Sequence, residues 1–450
     1  MKLLVYSWFP VYADHMIGGA QQVMHDFLTG LSENGIKTTV ICPQVKDKTK
    51  ELLTINHINV MPVLKEFSNR PLYPYEQLSN FQWIRKLSKS VDVIWSLDFT
   101  FPIDLPQPIV LSLDNFTYKE EMESFWDFNW DTLILPSKYL FNIAKSIVDP
   151  MHKDKNQNIK MIPYAVDHKH FVRTEPLGLC KKLGIPYDDS YILFPHRPDP
   201  DKGFDLVLNL IAALAENGNP HKLLIPMNNT YKADKKYYDY LKDRAKGLSI
   251  HEQVIFSNWI DIQDLPAFYS LGCWTLAIGT FPEGFGLTPL QSICCGTPAI
   301  CTKAGGLMDH LPSGHGLFYV DFFNIDQIRE IIERGVSTSE IAQGRHYIKE
   351  HYSTDRFVQE HIECLRNVKK RKRDIFYCED NNPIRISPWC HMFNNGGIWH
   401  DYYMRYVKIS RKEKGIIEKI SQGCKEYSGT EIDTIKTLLR KGIIIGEIDE

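Results

Sequence analysis

Phe281-Pro282-Glu283-Gly284-Phe285-Gly286-Leu287-Thr288-Pro289-Leu290-Gln291-Ser292-Ile293-Cys294-Cys295-Gly296-Thr297-Pro298-Ala299-Ile300 reads as a loop, a helix and the start of a strand. A carboxylate precedes two glycines. Leu287, Leu290 and Ile293 then fall at helical spacing, and Gly296-Thr297-Pro298 stops the helix. Glycines let a ligand approach the backbone, and the free N–H groups at a helix start attract an anion such as a diphosphate. Glu283 offers acceptors to neutral sugar hydroxyls. Taken alone, the pattern fits a structural turn as well.

Outward from this stretch, short apolar runs alternate with amphipathic ones, the pattern of strands and crossover helices in a parallel sheet. Residues 3–8, 38–42, 91–95, 109–113, 133–135 and 161–162 read as strands, and 19–33 as a helix with Val23, Phe27 and Leu31 on one face. After the irregular, charged stretch 167–189 the alternation restarts, with apolar runs at 192–194, 223–225, 254–256 and 274–278. The expected fold class is α/β, with two Rossmann-like, doubly wound sheets in tandem. Ligands of such sheets bind beyond the carboxyl ends of the strands, which predicts a cleft between the two units.

The chain has 450 residues, too many for one ordinary core, and 52 basic against 55 acidic side chains. That balance gives no global field to recruit nucleic acid or an anionic membrane. Met1-Lys2 runs straight into strand-like residues, without the longer apolar region and cleavage site of a secretory signal. No apolar run reaches the roughly 18 residues of a membrane span. The 10 cysteines are scattered without a Cys-x-x-Cys pair, so a reducing cytoplasm is the expected compartment and apolar filling their expected role.

Glu283-Gly284-Phe285-Gly286-Leu287, its helix and Gly296-Thr297-Pro298 resemble the donor motif of the retaining glycosyltransferases of family GT4, built on the GT-B fold. Other segments resemble that family in the same order. Gly18-Gly19-Ala20 is similar to its amino-terminal glycine pair, and Pro136-Ser137-Lys138-Tyr139 and 162–167 to its segments before the hinge. Arg197 and Lys202-Gly203 resemble its cationic pair, Gly305-Gly306 its glycine loop, and 352–365 its closing helix. The resemblance covers residues 1–368. It implies an amino-terminal acceptor domain (1–170), a donor domain (171–350) and a crossover helix (351–368).

The activity it implies is transfer of a sugar, with retention, from a nucleotide-diphosphate-sugar donor. Gly19, Arg197, Lys202, Gly286 and Leu287 would hold the diphosphate, and Glu283, Gly284 and Phe285 the sugar. Trp259, Ile260 and Gln291 would border the nucleoside, and Gly18, Asp98 and Tyr118 the acceptor. Two fixed cations stabilise a leaving diphosphate without a metal, so no cofactor is expected. Asp199-Pro200-Asp201 has the spacing of metal-dependent transferases, but it lies inside the cationic loop. Core packing is an alternative for Trp259.

Three positions depart from the family pattern. Gln291 stands where the family has a second glutamate, keeping an amide oxygen for a ribose hydroxyl but no charge. Asp114 replaces a histidine near the donor sugar; as a catalytic candidate beside Glu283 it could take the acceptor proton, or it could be a capping aspartate. His196 replaces a glycine, where it could crowd the diphosphate, donate to it, or be a plain loop residue. A degenerate nucleotide-sugar sensor or scaffold, or another GT-B activity such as an epimerase, is the alternative function.

Beyond the basic run Lys369-Lys370-Arg371-Lys372-Arg373, read as a solvated helix end or linker, the pattern changes. In 374–450, residues 384–386 and 398–407 read as strands around the turn Asn394-Asn395-Gly396-Gly397. Ser410 with Glu413 and Ser428 with Glu431 form capping boxes ahead of two apolar helices, and 443–445 could return as a strand. This segment resembles the winged-helix, PqqD-like recognition modules attached to enzymes that modify ribosomally made peptides. The resemblance implies a peptide or protein acceptor held by strand addition. A structural cap or a homodimer contact is the alternative. Lys412, Lys414, Lys419, Lys436, Arg440 and Lys441 are balanced by nearby acids, which argues against nucleic acid.

Overall fold

Leu3, Leu4 and Val5 are all buried on β1 (Lys2–Tyr6), although successive side chains of a strand point to opposite faces. A strand buried on both faces belongs in the middle of a helix-covered parallel sheet. The computed structural model describes residues 1–12, 18–43, 51–65, 74–101, 103, 105–149, 158–188, 190–227, 232–371, 384–393, 397–424 and 426–446. Around β1 lie β2 (Lys37–Pro43), β3 (Ile58–Leu64), β4 (Val93–Leu97), β5 (Ile109–Ser112), β6 (Thr132–Leu135) and β7 (Ile159–Met161). The order is β3-β2-β1-β4-β5-β6-β7, parallel throughout. The helices are α1 (Gly19–Glu33), α2 (Pro74–Ser88), α3 (Lys119–Trp126) and α4 (Lys138–Val148).

The second sheet comprises β8 (Tyr191–Leu193), β9 (Lys222–Met227), β10 (Val254–Asn258), β11 (Trp274–Ala277), β12 (Ala299–Thr302) and β13 (Leu317–Val320). It runs β10-β9-β8-β11-β12-β13, again all parallel. Its helices are α5 (Leu177–Leu183), α6 (Phe204–Glu216), α7 (Lys232–Gly247), α8 (Leu265–Leu271), α9 (Thr288–Cys294), α10 (Ile325–Arg334) and α11 (Thr338–His351). Strand order reverses between β1 and β4 in one sheet and between β8 and β11 in the other. The loops at those two switch points face each other, and they carry the residues of interest.

Helix α12 (Thr354–Asn367) crosses back and packs on α1. A methyl group at Gly30 would lie 2.2 Å from Val358 Cγ2, so the glycine allows the close approach. Val166 N–H donates to the Tyr352 carbonyl at 2.8 Å, joining the outgoing connection to the returning one. Among the described residues no helix is long and apolar enough to cross a membrane.

The carboxyl-terminal segment folds differently from the expected strand pair. Residues 398–407 break into β16 (Ile398–His400) and β17 (Arg405–Val407), because the chain turns through Asp401–Tyr403 and Met404 takes a left-handed backbone. The His400 side chain, at 3.3 Å from the Tyr403 N–H, caps that turn. The partner of β16 is β15 (Cys390–Met392), while β14 (Arg385–Ile386) pairs with β18 (Ile444–Ile445). Both small sheets are antiparallel. The turn residues 394–396 and the end of the basic run, 372–373, lie outside the described residues. Helices α13 (Arg411–Ser421) and α14 (Gly429–Arg440) start at the capping boxes of Ser410 with Glu413 and Ser428 with Glu431. Their apolar faces meet Cys390, Ile398 and Ile444 in a separate small core.

Candidate functional site

The loop after β8 turns at Asp199, whose carboxylate accepts from the Asp201 N–H at 3.0 Å. A single 3-10 turn and Gly203, at φ 93°, then place Lys202 under the loop after β11. Lys202 is 8% exposed, its Nζ 2.6 Å from Glu283 Oε1 and 4.0 Å from the centre of the Phe281 ring. The sequence brings these three residues from two different loops, and the fold makes them one unit. Burial by itself would raise the Glu283 carboxyl; the charge and hydrogen bond of Lys202, with His196 and Arg197, hold it below the usual range.

Arg197 reaches across the cleft, and its Nη2 donates to the Tyr118 hydroxyl at 3.3 Å. The Tyr118 ring stands 6.1 Å from that of Phe281. Tyr118, expected on the acceptor side, therefore also covers the cationic pair. His196 points the other way: its Nε2 lies 2.8 Å from the Leu276 carbonyl, and burial, then the Lys202 charge, lowers its pKa to about 4. Turned into the core, the ring does not crowd the cleft, and at neutral pH it is uncharged.

Glu283-Gly284-Phe285-Gly286 is held by the following glycine loop. The Gly306 N–H donates to the Glu283 carbonyl at 2.6 Å, and Gly305 has φ 60°. A methyl group at Gly284 would lie 1.7 Å from the Asp114 carbonyl oxygen, so the two domains touch through backbone here. Asn115 adds a bond from its Nδ2 to the Pro282 carbonyl at 3.1 Å. Phe285 is buried against Tyr164, Tyr352 and His310 and serves as the anchor beneath the loop. Helix α9 has only seven residues, with Pro289 in its first turn, so its dipole is small.

Gly18 precedes α1 in an extended conformation, and a methyl group at Gly19 would meet Leu287 Cδ1 at 3.6 Å. The two glycine motifs thus face each other. Gln291 is 4% exposed, with Nε2 donating to Gln22 Oε1 at 2.9 Å and Oε1 accepting from the Tyr269 hydroxyl at 3.1 Å. In this closed arrangement its amide is spent on the protein. Ile260 is 5% exposed and part of the core, and Trp259 is half-buried.

Asp98 does not line an open surface. It is 1% exposed and holds a left-handed backbone, at φ 64°. Its Oδ1 accepts from the Asp114 N–H at 2.8 Å and its Oδ2 from Trp8 Nε1 at 3.2 Å. Asp98 therefore positions Asp114. The carboxyls of Asp98, Asp114 and Glu121 all titrate above their ordinary values: burial is the largest cause for each, and the neighbouring carboxylates add to it for Asp114 and Glu121.

Asn115, Glu121, Phe281 and His310 are site residues that the sequence reading passed over. Asn115 and Phe281 adjoin residues singled out there, whereas Glu121 and His310 carry no local pattern. Among the described residues no three His, Cys, Asp or Glu side chains come together as metal ligands.

Residues 179–351 match the model of the glycosyl transferases group 1 family. Mannosylfructose-phosphate synthase of Agrobacterium fabrum is 25% identical over 177 residues, 39% of each chain. D-inositol 3-phosphate glycosyltransferase of Acidothermus cellulolyticus is 27% identical over 184 residues, 40% of each. The chain thus spans about two fifths of the length of these curated relatives. Sucrose-phosphate synthase from Thermosynechococcus elongatus superposes with a TM-score of 0.65 at 14% identity, over 81% of this chain and 98% of that one. Anabaena HepE, solved in complex with UDP-glucose, superposes with 0.63 at 18%, over 82% and 100%. The two facing parallel-sheet domains have the arrangement typical of the GT-B fold.

Proposed function

We propose that this chain moves a sugar from a nucleotide-diphosphate-sugar donor to an acceptor, with retention of configuration and without a metal. The observation that carries the reading is the Lys202–Glu283 pair beside Arg197, at the switch point of the part that matches the group 1 family. Arg197 and Lys202 would take the diphosphate, whose charge grows as the glycosyl bond breaks; Glu283 would accept bonds from sugar hydroxyls. Backbone N–H groups of Gly286 and Leu287 would complete the anion site. Asp114 and Tyr118 would face the acceptor, and domain closure would exclude water that could intercept the donor. The carboxyl-terminal module is read as the holder of a peptide or protein acceptor, with the open edge of β17 available for strand addition.

Gln291 favours a second reading, a nucleotide-sugar sensor, since its amide is engaged with Gln22 and Tyr269. The test is thermal unfolding with uridine, guanosine, adenosine and thymidine diphosphate sugars. One donor at about 100 times its dissociation constant should add about 2.7 kcal/mol, and Arg197→Ala or Glu283→Ala should remove the effect. No shift with any donor would end the donor-site reading. Binding without turnover across candidate acceptors would favour the sensor, and product anomeric configuration by NMR tests retention.

A further inference from the structure

Behind the donor cleft, a cavity of about 260 Å³ opens between the segment after β7, the last turn of α9 and the outer face of α11. Its floor is the buried pair Phe171 and Cys294; its walls are His168, Arg345, His346 and Lys349. Arg345 and Lys349 are one turn apart on α11, which sits tightly on α9. A methyl group at Gly344 would lie 2.1 Å from the His315 carbonyl and 2.9 Å from Ile293 Cγ2.

The carboxylates nearby are engaged. Asp167 Oδ1 accepts the N–H groups of Lys169 and His170 at 2.9 and 3.2 Å, and Glu350 lies 3.2 Å from His346. Arg345 and Lys349 have no carboxylate within 4.0 Å among the described residues, and the buried His168 Nδ1 has no hydrogen-bond partner there. Two cations without a carboxylate partner, one turn apart beside an apolar floor, suit an anion with several acceptors and a small body. The volume is below the roughly 300 Å³ where drug-sized pockets begin, which limits the ligand to a small one.

We propose that this cavity is a second anion site, taking a small phosphate monoester whose phosphoryl oxygens meet Arg345 and Lys349 and whose body lies on Phe171 and Cys294. It stands at the far end of α9 from Gly286 and Leu287, about 10 Å along the helix, and requires no donor in the cleft. An occupant would tie the outgoing interdomain segment to α11, the helix that leads into the returning one.

The experiment is calorimetric titration of the full chain with inorganic phosphate and with a hexose 6-phosphate, in an Arg197→Ala background that disables the cationic pair. Binding is expected to persist in that background. Adding Arg345→Gln with Lys349→Gln should weaken it at least tenfold while leaving the unliganded melting temperature unchanged, because both side chains are exposed. Three results would overturn the proposal: no binding of either probe at millimolar concentration, loss on Arg197→Ala alone, or undiminished binding in the Arg345/Lys349 variant.

Discussion

Lys202 and Glu283 lie 2.6 Å apart, with Lys202 8% exposed, so neither charge can be deleted without stranding the other. Lys202→Ala should therefore cost about 3–5 kcal/mol of stability, measured by urea unfolding at neutral pH. Because the folded carboxyl of Glu283 titrates below its ordinary value, its contribution is present above about pH 4.3 and is lost as pH falls through the folded pKa. Glu283→Gln should remove that component, so the variant should lose less stability than wild type between pH 5 and 3. Glu121 has the opposite sign. Burial, then the charges of Asp98 and Asp114, push its carboxyl up to about 10. Its stabilising contribution is complete below the ordinary value and is lost as pH rises toward 10. Glu121→Gln keeps the shape without the charge, and the urea midpoint of the variant should exceed that of wild type by a margin that widens from pH 6 to 9. Equal midpoints across that range would contradict the buried-carboxyl account.

The loops Pro282–Phe285 and Gly305–Gly306 form one element only through glycine, since Gly284 touches the Asp114 backbone and Gly306 the Gly284 carbonyl. Gly284→Ala should leave each domain folded, with melting changed by less than about 1 kcal/mol, yet prevent closure. Small-angle scattering should show a larger radius of gyration, and any transfer activity should fall by more than tenfold. Much of this element was legible in sequence, because positive-φ turns and close backbone approaches demand glycine and leave a local mark. The doubly wound sheets were legible for the same kind of reason: strands buried on both faces are runs of apolar residues. Of the edge strands, β7 and β10 were read and β3 and β13 were not: the apolar run of β3 is interrupted by Pro62 and is half-buried along most of its length. The roles of Asp98 and Gln291 were also hidden. Each depends on a partner far away in the chain, Asp114 and Trp8 for one and Gln22 and Tyr269 for the other, and no local spacing records such a pairing.

Across the whole molecule, Tyr139 joins three bodies. It lies in the first turn of α4 in the first domain, its N–H donates to Asp309 of the second at 2.9 Å, and its hydroxyl donates to Asp401 of the carboxyl-terminal module at 2.6 Å. Asp401 is fully buried, and the same oxygen receives His391 Nε2 at 2.8 Å. On the other side of the module, Trp399 stacks on Phe322 with ring centres 4.1 Å apart, and the Tyr406 hydroxyl donates to the Phe322 carbonyl at 3.2 Å. The module therefore rests on both domains, and its alternate placement of polar and aromatic contacts explains why 398–407 turns rather than running as one strand: Trp399 must reach Phe322 while Asp401 reaches Tyr139. Capping boxes made its helices readable in sequence, but this docking is set by surfaces of the other two domains. Tyr139→Phe keeps the ring and removes one donor to a buried carboxylate, which should cost about 1–3 kcal/mol. If the module is a separately docked body, the loss should appear as faster amide exchange in β16, β17 and α13, with β1 and β4 unchanged. Uniform destabilisation of all three bodies would instead mean that the module unfolds only together with the domains beneath it.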